Sequence, residues 1–126
     1  MSVVLDAGAL IAVEAFDRQV LALLKQELLA GRAPVTHGGV VGQVWRGTGG
    51  RQARLARFLR AVRVEPLDEA LGRRAGTLLG RARKSDVIDA ALVLLAADGD
   101  LILTSDAGDL EPLAAAANLQ VDILAV

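Results

Sequence analysis

Residues 84–110, KSDVIDAALVLLAADGDLILTSDAGDL, read as a helix, a tight turn and a strand. Ser85 is placed to cap the helix, and Asp86 and Asp89 fall in its first turns, where carboxylates suit the positive end of the helix dipole. The body, Ala90 to Ala97, is apolar all round and is expected to be buried, with Gly99 ending it. Leu101 to Leu103 is the short apolar run of a strand buried on both faces. Asp106 and Asp109 come just past the carboxyl end of that strand. In a parallel α/β sheet, strand carboxyl ends and the starts of the following helices share one edge, where ligands bind. A helix that leads into its strand begins at that edge too. Asp86, Asp89 and Asp106 are therefore expected to meet there, with Asp109 at the margin.

The rest of the chain repeats the alternation. Val3 to Leu5 is a first strand ended by Asp6, and Ala7-Gly8-Ala9 turns into a short helical piece through about Glu14. Asp17 caps a helix over 18–29, with Val20, Leu21, Leu24 and Leu28 inward and Gly31 as its stop. Pro34 to Thr36 is a weak strand, His37-Gly38-Gly39 a turn, and Val40 to Trp45 the opening of another helix. Gly47-Thr48-Gly49-Gly50 breaks the chain and is expected to be its most mobile loop. Arg51 to Val62 reads as an amphipathic helix, Leu55, Phe58, Leu59 and Val62 on one side, Arg51, Arg54, Arg57 and Arg60 on the other. Val62 to Val64 is a strand, Asp68 caps the next helix, and Arg81 to Ser85 form a basic loop. Asp109 reads as the cap of a helix over 110–118, and 121–126 is the last strand. Such alternation predicts one α/β domain over residues 1–126, with a mainly parallel sheet of four or five strands flanked by helices.

The totals fit that reading. A chain of 126 residues, 53% hydrophobic, makes one domain with a sizeable core. Two Phe, one Trp and no Tyr leave that core aliphatic. With no Cys and a single His, His37, disulfides and a structural zinc site are excluded, and a cytoplasmic setting is expected. The opening residues lack a basic segment and meet an acid at Asp6, so a signal peptide is not expected. The longest apolar run, 90–97, is too short to span a bilayer. Net charge is −1, but residues 46–84 carry eleven of the fourteen Lys and Arg and three acids, while the remainder carries three bases and twelve acids. A net +8 beside a net −9 suits an anionic substrate held by one part and metal ions held by the other.

Asp6 and Asp106 each follow a strand, and if those strands are neighbours the two carboxylates are close. Two carboxylates 4 Å apart repel by about 4 kcal/mol at an effective dielectric of 20. Three gathered in a cleft, with Asp86, call for raised pKa values or a cation, and an all-oxygen set suits Mg²⁺ or Mn²⁺. Asp89, three residues after Asp86 on the same helix face, reads equally as a further ligand or a solvated residue. Thr104 and Ser105 are placed to hydrogen-bond and orient the carboxylates. The arginine stripe is a candidate phosphate-binding face, without the aromatic residues that base stacking needs. Each of these residues alone has a plainer reading as a cap, a turn or a solvated face; their joint placement favours a site. No Walker A or Gly-x-Gly-x-x-Gly segment is present, and Gly8 stands where an Asp-x-Asp phosphotransferase needs its second Asp.

Residues 3–12, 86–96 and 101–110, above all Leu5-Asp6 with Thr104-Ser105-Asp106, resemble PIN-domain nucleases. Length and element order resemble the VapC group, ribonuclease toxins of type II toxin–antitoxin pairs. The resemblance covers nearly the whole chain. It implies a Rossmann-like parallel sheet, Mg²⁺- or Mn²⁺-dependent cleavage of RNA, a homodimer and inhibition by a cognate antitoxin. By motif position Asp6, Asp86 and Asp106 would form the acidic site, with Asp89 and Asp109 auxiliary. One position departs from the family: Gln43 stands where a Glu is usual. That leaves weak metal binding, substitution by Asp89, or an inactive site. The expectation is a metal-dependent endoribonuclease binding RNA through Arg51, Arg54 and Arg57. The alternative is a PIN-like module that holds RNA or protein without cutting.

Overall fold

The computed structural model describes residues 1–47 and 49–126. Strands β1 (Val3–Leu5), β2 (Val35–His37), β3 (Arg63–Glu65), β4 (Leu101–Thr104) and β5 (Asp122–Ala125) form one sheet. Their order is β3-β2-β1-β4-β5, and every neighbouring pair is parallel. Position in the sheet accounts for composition. The inner strands β1 and β4 are unbroken apolar runs, and Val3, Val4, Leu5, Ile102 and Leu103 are buried; the edge strands β3 and β5 leave Val64 and Leu124 exposed.

The chain leaves β1 toward β2 and later lays β4 along the other side of β1. That reversal makes the carboxyl edge between β1 and β4 the topological switch point of the sheet. Leu5 is in register with Leu103, so the residues that follow, Asp6 and Thr104, stand side by side. At the far edge, the Val126 N–H donates to the Thr104 carbonyl at 2.8 Å, so β5 ends on this same edge.

Seven helices are formed among the described residues: α1 (Ala7–Glu14), α2 (Arg18–Leu29), α3 (Gly38–Val44), α4 (Ala53–Leu59), α5 (Glu69–Ala82), α6 (Val87–Val93) and α7 (Ala107–Ala116). None of them is long and apolar enough to cross a membrane. The helix α1 packs against α2, α3, α4 and β4, which explains why it is apolar nearly throughout.

Several boundaries differ from the sequence reading, each for a local reason. Helix α3 starts at Gly38 because the His37 Nδ1 accepts the Gly39 N–H at 3.1 Å and caps it. Helix α4 spans only 53–59. Before it, Gln52 uses its buried amide on the Arg46 and Gly47 N–H groups, the Val44 carbonyl and Glu14, which holds Arg51 in a turn. Of the 47–50 segment, Thr48 lies outside the described residues. Asp86, not Ser85, caps α6, its Oδ1 accepting the Asp89 N–H at 3.1 Å. That helix ends at Val93, short of Ala97. The buried Asp100 carboxylate accepts the Ala97 and Ser2 N–H groups, each at 2.8 Å, and draws the chain out toward β4. Gly99 serves that turn, at φ +88°, and does not end the helix. Asp106, not Asp109, holds the cap position of α7, which begins three residues early with Asp109 in its first turn. Arg81 and Ala82 belong to α5, leaving a basic turn of Arg83, Lys84 and Ser85.

Candidate active site at the switch point

Asp6 anchors the site. It is 8% exposed and caps α1, with Oδ1 accepting the Ala9 N–H at 2.9 Å. Oδ2 accepts the Ser105 backbone N–H at 3.1 Å and the Thr104 hydroxyl in a short hydrogen bond. The Thr104 oxygen in turn accepts the Asp106 N–H at 2.8 Å, so its single proton is committed to Asp6. Thr104 thus takes the orienting position expected of it, whereas Ser105 acts through its backbone. Gly8 makes the arrangement possible. A Cβ there would lie 2.3 Å from the Ser105 Oγ and 2.9 Å from its backbone nitrogen, so the β1–α1 and β4–α7 turns touch only because position 8 has no side chain.

One cavity of about 190 Å³ opens at this edge, lined by Asp6, Gln43, Asp86, Asp89, Asp106 and Asp109 among others, with no Lys or Arg in its lining. Asp86 and Asp89 arrive from the start of α6, Gln43 from α3, Asp106 and Asp109 from the start of α7. Asp89 is the half-buried member. Burial first, then the charges of Asp86, Asp109, Asp106 and Asp6, push its pKa up from 3.8 to about 6. The Asp106 pKa is also raised, first by the hydrogen bond to the Asp109 carboxyl, then by slight desolvation and the charges of Asp109, Asp6 and Asp86. Asp89 is therefore a wall of the cavity, not a residue of the solvated surface, and the structure brings Asp109 to the same cavity.

The donor set is all oxygen, and like charges converge without a base among them, which suits a hard divalent cation. In the side-chain positions observed, no three of the described His, Cys, Asp or Glu groups close around one point. The carboxylates fit such an ion in chemistry and number; Asp6 is held by three hydrogen bonds and Asp86 by one.

The arginine stripe lies elsewhere. Arg54 donates to the Glu14 carbonyl at 2.8 Å and stacks 4.4 Å above the Phe16 ring; Arg51, Arg54, Arg57 and Arg60 line neither the acidic cavity nor the space beside it. Two residues that the sequence suggests only as parts of a turn tie the site together. The fully buried His37 bonds the Ile88 carbonyl through Nε2 at 2.9 Å, and burial lowers its pKa, so Nε2 carries the proton and the ring is neutral. Gly39 lies where a Cβ would come within 2.5 Å of Ile88 Cδ1 and 2.9 Å of the His37 ring. This clamp sets α3, which carries Gln43, against α6, which carries Asp86 and Asp89. The adjacency of His37 and Gly39 was the only trace of it in the sequence.

A five-stranded parallel sheet with carboxylates gathered at its switch point defines a Rossmann-like α/β protein of PIN-like fold. The chain is similar to one in the crystal structure of VapBC2 from Rickettsia felis bound to a DNA fragment from their promoter. The TM-score is 0.72 at 12% identity, over 98% of this chain and 99% of that one. At that identity the likeness is one of fold. No protein-family model matches the sequence. No curated protein matches it either.

Proposed function

We propose that the protein is a Mg²⁺- or Mn²⁺-dependent endoribonuclease and the toxin of a toxin–antitoxin pair. One observation carries the reading: five carboxylates and no base line a single cavity at the switch point of a sheet similar to that of a VapBC2 chain. Asp6 and Asp106 would hold the principal ion, with Asp86, Asp89 and Asp109 completing the oxygen set. The bound ion supplies Lewis acidity toward a phosphodiester and a nucleophile at neutral pH. The chain's own contribution is orientation. Three donors hold the Asp6 carboxylate, and the Thr104 hydroxyl links it to the backbone that carries Asp106. Arg51 and Arg57, both exposed, are candidates for contacts farther along the RNA strand. Ile11, Phe16, Leu28, Leu29 and Trp45 are exposed apolar side chains that a second copy or an antitoxin would cover.

Gln43 favours a second reading. Its neutral amide stands at the cavity where a carboxylate would add charge to an ion, as a binding module that does not cut would tolerate. Purified protein, titrated calorimetrically with Mn²⁺ and incubated with RNA, separates the two. The nuclease reading expects Mn²⁺-dependent cleavage that Asp106→Asn abolishes. It also expects Gln43→Glu to bind Mn²⁺ about tenfold more tightly, the effect of roughly 1.4 kcal/mol. RNA binding with no cleavage at any Mn²⁺ concentration, in wild type and Gln43→Glu alike, would establish the binding module instead.

A further inference from the structure

A second cavity, of about 160 Å³, opens beside the acidic one. The two share Asp86, Asp89 and Asp109 as a common wall. The second differs in what faces that wall: Lys84 and Ser85, from the turn between α5 and α6. Lys84 is the only basic residue lining either cavity, and none of the ion pairs among the described residues involves it.

We infer that Lys84 and Ser85 form a subsite for the RNA backbone, holding a phosphate next to the one at the carboxylates. The inference rests on the nuclease reading above and adds to it the residues that seat the strand. A phosphate next to the one at the bound ion would face the wall of Asp86, Asp89 and Asp109, where its charge calls for a cation. Lys84 supplies that cation at the mouth, and its ammonium cannot itself bind a metal ion. The Ser85 hydroxyl offers a neutral donor to the same phosphate.

The backbone holds this turn in place. The Arg83 and Lys84 N–H groups both donate to the Leu79 carbonyl, so the turn is tied to the last turn of α5. Arg83 adopts a left-handed conformation, φ +55°, at a position where glycine is the default. Of the basic residues in this segment only Lys84 reaches the cavity; Arg81 lies along another groove with Arg73 and Arg74, and the arginine stripe of α4 lines neither cavity.

The test measures binding apart from cleavage. A 5′-labelled, mixed-sequence oligoribonucleotide is titrated by fluorescence anisotropy over a salt series, in an Asp106→Asn background where the strand is not expected to be cut. Lys84→Ala should weaken binding about three- to tenfold and lower the slope of log K against log salt by about 0.7, one phosphate contact to a single strand. Lys84→Arg should keep both, and Lys25→Ala, which removes the same charge on α2, should change neither. Without those background changes, Lys84→Ala should raise KM for Mn²⁺-dependent cleavage more than it lowers kcat. Its calorimetric Mn²⁺ affinity should equal or exceed that of wild type, since a positive charge beside the carboxylates is removed. Wild-type affinity and slope in Lys84→Ala, or an equal loss in Lys25→Ala, would overturn the subsite while cleavage by the wild type kept the nuclease reading. A wild type that neither binds nor cuts RNA with Mn²⁺ would overturn both.

Discussion

Asp6 and Asp106 occupy equivalent places after neighbouring strands, yet their environments give them different tolerances. Asp6 accepts three hydrogen bonds at 8% exposure; Asp106 is exposed, and its carboxyl caps no helix N–H. In Asp6→Asn an amide N–H must face donors whichever way the side chain is turned, so one hydrogen bond becomes a repulsion. We expect that variant to lose about 1–3 kcal/mol of stability. Asp106→Asn should melt at or above the wild-type temperature, because it removes like charge from the cavity. Thermal melting without metal distinguishes them. Asp89 brings pH into play. Its carboxyl ionises near 3.8 when unfolded and at about 6 when folded, so between those values the folded state holds more protons. Stability therefore falls as pH rises through that window. Discounted for the part of the side chain that water screens, the loss is on the order of 1 kcal/mol. His37, its pKa lowered by burial, acts oppositely and favours the folded state above its ordinary 6.5. Both chains carry His37, so subtracting the Asp89→Asn melting curve from that of wild type isolates Asp89. The variant should gain about 4 °C relative to wild type between pH 4 and 6.5, and saturating Mn²⁺ should favour wild type. A difference that stays flat with pH would mean that neither burial nor its neighbours' charge raises the Asp89 pKa.

At the scale of elements, the turns leading into α1 and α7 behave as one unit because they touch across Gly8 and Ser105. Gly8→Ala has to move the Ser105 backbone, not only its hydroxyl, and with it the donor to Asp6. We expect about 1–3 kcal/mol of destabilisation and weaker Mn²⁺ binding. Gly72→Ala, where nothing lies within 4 Å, should be neutral or stabilising in the same melting assay. The types of all these elements were readable from periodicity and caps: Asp17 and Asp68 cap as their spacing predicts. The ends were not, because tertiary groups decide them. The Asp100 carboxylate that turns the chain after α6 also holds Ser2, ninety-eight positions away, and Gln52, just ahead of α4, bonds back to Val44 and Glu14. No local pattern carries such information.

Over the whole molecule, the edge on which the acids meet was legible because parallel topology fixes which residues share it. Neither side-chain burial nor charge separation obeys so simple a rule. Asp89 and Asp109 could not be ranked from spacing, since their standing comes from packing between α6 and α7. Regular spacing on a helix says nothing of where the helix lies: the arginine stripe lines neither cavity, and Phe16 and Glu14 draw Arg54 away from the acids. The hydrogen bond from the Val126 N–H to the Thr104 carbonyl has a practical side. Thr104 holds Asp6, so anything joined after Val126 emerges one strand away from the acids. Ser2, bonded to Asp100 ahead of β4, emerges at the opposite edge of the sheet. A hexahistidine purification tag fused downstream of Val126 should therefore compete for Mn²⁺ at the mouth of the cavity and distort the titration, while the same tag fused upstream of Met1 should leave it unchanged.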